Sequence, residues 1–309
     1  MGRYVLRRLL QLIPVFFGTT FLIYVLVFYV PGDPFAGKCG ERACPPAYIA
    51  YLTQKFNLDK PLFVQYFTYM KNVFQGDFGT TYNGRSINEI IATAYPNTVK
   101  LALVALGFEI VIGLTAGVLS GLRRNGFLDN FVLVSTLFLL ALPIFVTGFV
   151  LKYLFGFRLG WVTPTVTSAS PGFTELLLPG FVLGSISLAY VARLARTSIA
   201  ENMRADYVRT AVAKGLPRRR VVGVHMLRNS LIPVVTLLGT DLGALMAGAI
   251  VTEGIFNIHG IGNEVYRAIV RKEGATVVSI VVILVMVYLV MNLLVDLLYA
   301  VLDPRIRYE

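Results

Sequence analysis

Six apolar stretches, each long enough to cross a lipid bilayer as a helix, alternate with polar segments along the chain. They cover residues 9–30, 98–122, 127–155, 175–191, 231–251 and 276–302. A bilayer core about 30 Å thick requires about 20 helical residues. The first stretch is too long for a signal-peptide core and lacks a small-residue cleavage site, so we expect it to remain as an anchor. The pattern predicts an all-α polytopic membrane protein with six transmembrane helices.

The segments between these stretches differ in their content of arginine and lysine. The segments on the side of both termini are rich in positive charge, whereas those on the other side are poor in it. The richest segment contains Arg193, Arg196, Arg204, Arg209, Lys214, Arg218, Arg219, Arg220 and Arg228. Because short loops rich in positive charge stay in the cytoplasm, both termini are predicted to be cytoplasmic.

The long loop over residues 31–96 is therefore predicted to lie outside the cytoplasm. Amphipathic helices are expected within it over 47–56 and 64–74. The loop contains both cysteines of the chain, Cys39 and Cys44. An oxidising exterior favours a disulfide between them, and two free thiols are the alternative. A metal site is not expected, since further ligands are lacking nearby.

The composition agrees with a chain that is solvated by lipid. Of its 309 residues, 56% are hydrophobic and 15% are charged. The net charge of +11 suggests nucleic acid as a partner, but the basic residues lie in the gaps between apolar stretches. Membrane topology therefore explains the charge better, and no nucleic-acid partner is expected.

Residues 32–38 match the start of a phosphate-binding loop, but this match is rejected. Cys39 replaces the Ser or Thr that binds the metal ion, and the segment follows a membrane helix and faces outward. We find no other nucleotide-binding motif in the sequence. If ATP drives this protein, another chain must bind the ATP.

The segment over 193–229 is too polar to span the membrane and too regular for a loose loop. Residues spaced four apart predict one face of a single amphipathic helix. These residues are Ala195, Ile199, Met203, Tyr207 and Ala211. Glycine and proline at 215 and 217 predict the end of that helix, and a second short helix is expected over 218–228. Docking to a cytoplasmic protein is favoured over DNA binding, because two membrane helices flank the segment.

Several motifs together identify a family resemblance that covers nearly the whole chain. Residues 205–217 (ADYVRTAVAKGLP) and 225–233 (HMLRNSLIP) resemble the coupling loop of ABC importer permeases of the dipeptide, oligopeptide and nickel branch. Residues 7–14 (RRLLQLIP) with 31–34 (PGDP) resemble the N-terminus of the first permease of that branch, and 296–308 (DLLYAVLDPRIRY) resemble its C-terminus.

The resemblance implies a type I ABC importer permease fold in the inner or plasma membrane of a prokaryote. Residues 1–96 would form an N-terminal transmembrane helix and an extracytoplasmic loop. Residues 97–302 would form the transmembrane domain, with the coupling segment over 193–229, and residues 303–309 a cytoplasmic tail.

The resemblance also implies the partners of the chain. They are a second, homologous permease in a heterodimer, two cytoplasmic ABC ATPases that bind ATP and Mg, and an extracytoplasmic substrate-binding protein. This chain would be a non-catalytic subunit without a cofactor, and would form half of the pore for di- and oligopeptides. The candidate ATPase-coupling residues are Asp206, Tyr207, Thr210, Ala211, Lys214, Gly215 and Leu216.

Several carboxyl groups lie within predicted spans, where a charge costs several kcal/mol unless it faces a cavity or a partner. Asp241 is a candidate for the translocation path, where it either meets a substrate amino group or forms a hydrogen bond to another helix. Glu109 is a second candidate, but it shares its helix with Gly113, Gly117 and Gly121, whose spacing predicts close helix packing. Asp296, in the last span, is expected to be structural.

Three alternatives to a peptide importer remain. The same architecture serves nickel chelates, glutathione or haem, because the binding protein does most of the selection. An ATP-independent channel or carrier is the second alternative. A membrane enzyme is the third alternative, but the sequence offers no nucleophile with its base at membrane depth. His225 and His259 cannot share a site, because they lie on opposite sides of the predicted membrane.

Overall fold

The computed structural model describes residues 2–29, 44–55, 59–81, 83–247 and 249–302, and helices dominate these residues. The N-terminal part contains α1 (Gly2–Phe28), α2 (Pro46–Lys55), α3 (Leu62–Phe74) and α4 (Ile87–Leu122). The central part contains α5 (Phe127–Ala141), α6 (Ile144–Arg158), α7 (Phe173–Asn202) and α8 (Asp206–Ala213). The C-terminal part contains α9 (Arg218–Ser230), α10 (Ile232–Ala247), α11 (Ile250–Phe256), α12 (Ile261–Val270) and α13 (Gly274–Leu302).

Four of these helices, α1, α4, α7 and α13, are each long and apolar enough to cross a membrane. Two further candidates are bent pairs, α5 with α6 and α9 with α10, and the described residues contain six spans if each pair counts as one. The all-α membrane fold is therefore confirmed. The number of six depends on how the two bent pairs are counted.

The predicted third span over 127–155 is not one straight helix. It bends by 104° between α5 and α6. Pro143 lies at the bend, directly after Leu142, which has an extended backbone with ψ of 128°. Proline lacks an N–H and disfavours a helical residue before it, which explains the break. The expectation of an uninterrupted span was wrong here.

Two other spans extend beyond their predicted limits because polar residues continue the helix. The second was predicted to begin at residue 98, but α4 begins at Ile87. The fourth was predicted to end at residue 191, but α7 continues to Asn202. Arg193 and Arg196, which were expected in a separate segment, therefore lie on the last turns of this long helix.

The three glycines of α4 bring its backbone against that of α7. A Cβ atom at Gly113 would lie 2.9 Å from the Leu188 carbonyl oxygen, and one at Gly117 would lie 2.4 Å from that of Ala192. A Cβ atom at Gly121 would meet the Arg196 carbonyl oxygen at 3.0 Å. These distances leave no room for a side chain, so the predicted role of the glycines in helix packing is confirmed.

The first and last spans pack against each other. Arg8 Nη2 lies 3.3 Å from Asp296 Oδ1, so Asp296 joins α13 to α1, as its expected structural role requires. On α1, the Thr20 hydroxyl is 2.7 Å from the Tyr66 hydroxyl of α3, which attaches one predicted loop helix to this pair. Cys44 is buried. Cys39 lies outside the described residues, so the Cys39–Cys44 disulfide stays a prediction.

Replacement of Gly117 by alanine tests the contact between α4 and α7. We expect Gly117→Ala to lower the free energy of unfolding by about 1–3 kcal/mol, because the added Cβ forces two packed backbones apart. Gly107→Ala on the same helix is the control, since a Cβ there meets nothing within 4 Å. Thermal unfolding of the detergent-solubilised protein measures both, and equal midpoints for the two variants would contradict the packing role.

Candidate docking segment and buried charged sites

Residues 195–211 do not form the single helix that the four-residue spacing predicted. The chain turns at residues 203–205, where the Arg204 N–H donates to the Glu201 carbonyl and Ala205 takes an extended conformation, with ψ of 146°. As a result, Met203 and Tyr207 are exposed, whereas Ile199 is buried. After the turn, α8 packs in a cluster that contains residues of α7 and α9.

The short helix α8 has an inward and an outward face. Its inward residues Val208 and Ala211 are buried in a cluster with Ile199, Val221 and Met226, next to the end of α4. We call this end of the bundle the basic end, because it carries the arginines of α7 and α9. An isolated helix of this length is unstable in water, so these contacts are what hold α8 in place.

The candidate coupling residues are divided between these two faces. Asp206, Tyr207, Thr210 and Lys214 are exposed. Ala211 points into the bundle, and Leu216 packs on the same cluster. The exposed set, which we call the docking face, is therefore available to another protein, while Ala211 and Leu216 fix the helix to its own chain.

Gly215 ends α8 in the way the sequence predicted. Its φ is +75°, in the left-handed region that only glycine adopts without strain. Its N–H donates to the Val212 carbonyl at 2.9 Å, and Pro217 directly precedes α9. The predicted turn and the second short helix after it are confirmed.

A buried ion pair joins three helices at the basic end. Arg196 of α7 donates two hydrogen bonds to Asp129 of α5, the one from Nη2 to Oδ2 being 2.8 Å long. The Ser120 hydroxyl of α4 and the Asn125 N–H also donate to this carboxylate. Asp129 is 1% exposed, and every hydrogen bond it needs is made.

Two carboxyl groups meet in the middle of the bundle. Glu109 is the first residue of the π-helical turn in α4, and it interacts with Asp241 of α10. The Ser187 hydroxyl of α7 donates to Asp241 Oδ1 at 2.9 Å. The structure therefore brings together the two intramembrane carboxyl groups that sequence reasoning treated separately. Their place in a translocation path stays a prediction.

Another buried carboxyl group lies at the opposite end of the bundle, in the segment between α10 and α13. Glu253 of α11 is 0% exposed, and its Oε1 accepts from the Thr98 hydroxyl at 2.6 Å. Its Oε2 accepts from the Asn263 N–H of α12 at 2.8 Å. Burial raises the pKa of Glu253 to about 7, although these hydrogen bonds act in the other direction.

The Glu253 site connects several segments at this end. Thr98 also accepts from the Ile261 N–H at 2.9 Å, which places the start of α12 against α4. The Asn97 side chain donates to the carbonyl groups of Ala169 and His259. We call Asn97, Thr98, Glu253 and Asn263 the polar junction.

Sequence reasoning missed the ion pair and the polar junction. Arg196 was counted only as a topological charge, and Asp129 was not singled out. A carboxyl residue in the first turn of the apolar stretch that follows Arg123-Arg124 was the available signal for the first. Glu253, in an otherwise uncharged stretch that ends in Gly260 and Gly262, was the signal for the second. Their partners lie far away in sequence and could not be paired without the fold.

A bundle of apolar helices with an exposed helical segment at one basic end defines a multi-pass membrane component. Comparison with protein families agrees. Residues 113–308 match the model described as "Binding-protein-dependent transport system inner membrane component", and residues 1–102 match the N-terminal model of the same systems. The chain therefore belongs to the family of binding-protein-dependent transport system inner membrane components, and the predicted resemblance to ABC importer permeases is confirmed.

Individual relatives align over their full length and that of this chain. A di/tripeptide transport system permease of Pseudomonas aeruginosa is 39% identical over 100% of both chains. An oligopeptide transport system permease of Haemophilus influenzae is 34% identical and a glutathione transport system permease of Pectobacterium atrosepticum is 35% identical, each over 100% of both chains. All are permeases, so this chain is a membrane component of a transporter and not an enzyme.

Loss of the buried ion pair should destabilise the basic end. We expect Asp129→Ala to lower the free energy of unfolding by about 3 kcal/mol, because it leaves the Arg196 charge without its partner. The control is Asp206→Ala, since Asp206 and Arg209 form an exposed pair 3.7 Å apart and should contribute little. Thermal unfolding in detergent measures both variants, and equal loss in the two would refute a special role for the buried pair.

The raised pKa of Glu253 predicts a pH-dependent stability. The folded state holds the Glu253 proton more tightly than the unfolded state does. The contribution of this proton to the free energy of unfolding is therefore complete below about pH 4.5 and is lost as the pH rises to about 7. We expect the wild type to lose stability between about pH 5 and pH 8 relative to Glu253→Gln, which cannot ionise. The control variant Glu89→Gln, at an exposed position, should show the same change of stability with pH as the wild type. Parallel curves for wild type and Glu253→Gln in thermal unfolding would contradict the prediction.

Proposed function

We propose that this chain is one permease subunit of an ATP-driven importer of di- and oligopeptides, and that it forms half of the translocation pore. Its partners are a second, homologous permease, two cytoplasmic ABC ATPases that bind ATP and Mg, and an extracytoplasmic substrate-binding protein. The family and the peptide permeases among the relatives support this proposal.

The observation that carries the proposal is the docking face of α8. Its exposed polar residues project from a helix that is held on its other face by buried contacts to α7 and α9. A movement imposed on α8 is therefore transmitted to the ends of α4 and α7, because the same cluster contains residues from all these helices. This arrangement supports a lever between an ATPase and the membrane helices.

The orientation of the chain follows from the same proposal. The basic end, with α8 and α9, faces the cytoplasm, as do both termini, and the polar junction faces the other side. The positive charge of the basic end supports this orientation. A cysteine placed at Lys214 should react with a membrane-impermeant maleimide only after the cytoplasmic side is opened.

Within the membrane, we propose that α10 borders the translocation path and that Asp241 and Glu109 lie beside it. Asp241 is partly exposed within this chain, which leaves it room to meet a substrate or the second permease. A peptide carries an ammonium group, for which a carboxylate is a suitable partner.

Glutathione is the second candidate substrate, because a glutathione permease is among the full-length relatives. Nickel chelates and haem remain alternatives for the same architecture. Uptake measurements with the cognate binding protein discriminate among these substrates. An ATP-independent channel or carrier is discriminated by whether transport persists after ATP is removed.

The variant Gly215→Val tests the lever. A β-branched residue at φ of +75° is strained, so the turn after α8 should distort, although a Cβ there meets nothing within 4 Å. In proteoliposomes with the ATPases, the second permease and the binding protein, we expect at least about a tenfold loss of dipeptide uptake per ATP hydrolysed. Substrate binding by the binding protein should be unchanged.

Gly223→Ala in α9 is the matched control, because Gly223 lies within a helix, its φ is not positive, and a Cβ there meets nothing within 4 Å. It should transport normally. Normal coupling in Gly215→Val would count against the lever, and failure of the ATPases to co-purify with the wild type would remove the importer proposal altogether.

A further inference from the structure

The carboxyl pair in the middle of the bundle lacks the hydrogen bonds that its burial requires. Glu109 is 0% exposed, and neither of its carboxyl oxygens has a hydrogen-bond partner. Asp241 Oδ2 is also buried without a partner, while Oδ1 accepts from Ser187. The satisfied carboxyl groups of Asp129 and Glu253 show that this deficit is particular to the pair.

Apolar side chains flank the pair on both sides along the helices. Towards the basic end, the adjoining helices pack through Val191, Ala195, Val234 and Leu238. Towards the opposite end they pack through Ala102, Ala105 and Leu245, and Leu106 contacts both clusters. A charge between two such apolar layers is strongly disfavoured, and two adjacent like charges are disfavoured further.

We propose that Glu109 and Asp241 form a proton-binding site, in which the two carboxyl groups hold one proton between them and thereby join α4 to α10. The proposed proton site extends the role proposed above for Asp241. Only its connection to transport rests on that proposed role. The proton resides on Glu109, which no other group supplies with a hydrogen bond. Asp241 is the acceptor of that proton, because its Oδ1 already accepts from the Ser187 hydroxyl and its Oδ2 is buried without another partner.

A metal ion is a poorer occupant than a proton. In the part of the chain that the structure describes, no three His, Cys, Asp or Glu side chains come together as metal ligands. Among the described residues, Asp241 is the one ionisable group that interacts electrostatically with Glu109. The remaining ionisable residues of α4 and α7, which do not interact with Glu109 in this way, are Glu89, Tyr95, Lys100, Glu175, Tyr190, Arg193, Arg196 and Glu201.

The π-helical turn gives the site a structural basis. The turn over Glu109–Leu114 begins at the proposed proton carrier. Such turns widen a helix locally and are frequent at functional sites. The shared proton lets two acidic residues lie in contact within the membrane, and a shift of α10 along α4 would break the hydrogen bond between them.

Infrared spectroscopy of the full chain in lipid nanodiscs at neutral pH tests the proposal, because a protonated carboxyl group has a C=O band distinct from that of a carboxylate. The difference spectrum between wild type and Glu109→Gln should contain the loss of one carboxylic-acid band. Exposed Glu89→Gln, the control, should show the loss of carboxylate bands alone. A Glu109→Gln difference with only carboxylate bands would overturn the proposal.

Two further measurements keep the test decisive. If Glu109→Gln does not fold, Asp241→Asn is measured in its place. The carboxylic-acid band should then shift, because Glu109 loses its carboxylate acceptor. An unchanged band overturns the proposal. Exchange of potassium for sodium should leave the wild-type band in place, and its disappearance would show a metal-ion site instead. None of these readouts requires ATP or uptake, so their failure leaves the importer proposal standing.

Discussion

The close approach of α4 and α7 is the contact on which the rest of the structure depends. Three glycines, one turn apart, let the two backbones touch from Gly113 and Leu188 to Gly121 and Arg196. In lipid, helices gain little from burying apolar surface, so such contacts and internal hydrogen bonds hold the bundle together. The contact also fixes α7 as a continuous helix, which carries Ser187 at its centre and Arg196 near its end.

The buried carboxyl groups at three sites along this pair of helices are stabilised in different ways. At the basic end, Asp129 is neutralised by Arg196 and saturated with donors, so it is a rigid attachment. At the opposite end, Glu253 receives hydrogen bonds from two other segments. The central pair has one donor, Ser187, for four oxygen atoms. The carboxyl groups at the two ends are therefore paired, and the carboxyl oxygens without a partner lie in the centre of the bundle.

The sequence was sufficient for the features that depend on local pattern. Apolar length predicted the spans, the glycine spacing predicted the α4–α7 contact, and Gly215 predicted the end of α8. The features it missed depend on contacts between distant residues. Spacing alone placed Met203 and Tyr207 on the face of Ile199, because it did not reveal the turn at residues 203–205. The pairing of Glu109 with Asp241 also required the fold, since each lies on a different helix.

The division of α8 into a buried and an exposed face has a consequence for how such transporters diverge. Val208 and Ala211 are constrained by the bundle, so they resist substitution, whereas Asp206, Thr210 and Lys214 touch nothing that the fold requires. If the docking face binds an ATPase as proposed, changes at the exposed positions would leave the fold of the permease intact and alter which ATPase it recognises. Duplicated systems in one cell could thus become insulated from each other by a few surface substitutions, without redesign of either membrane domain.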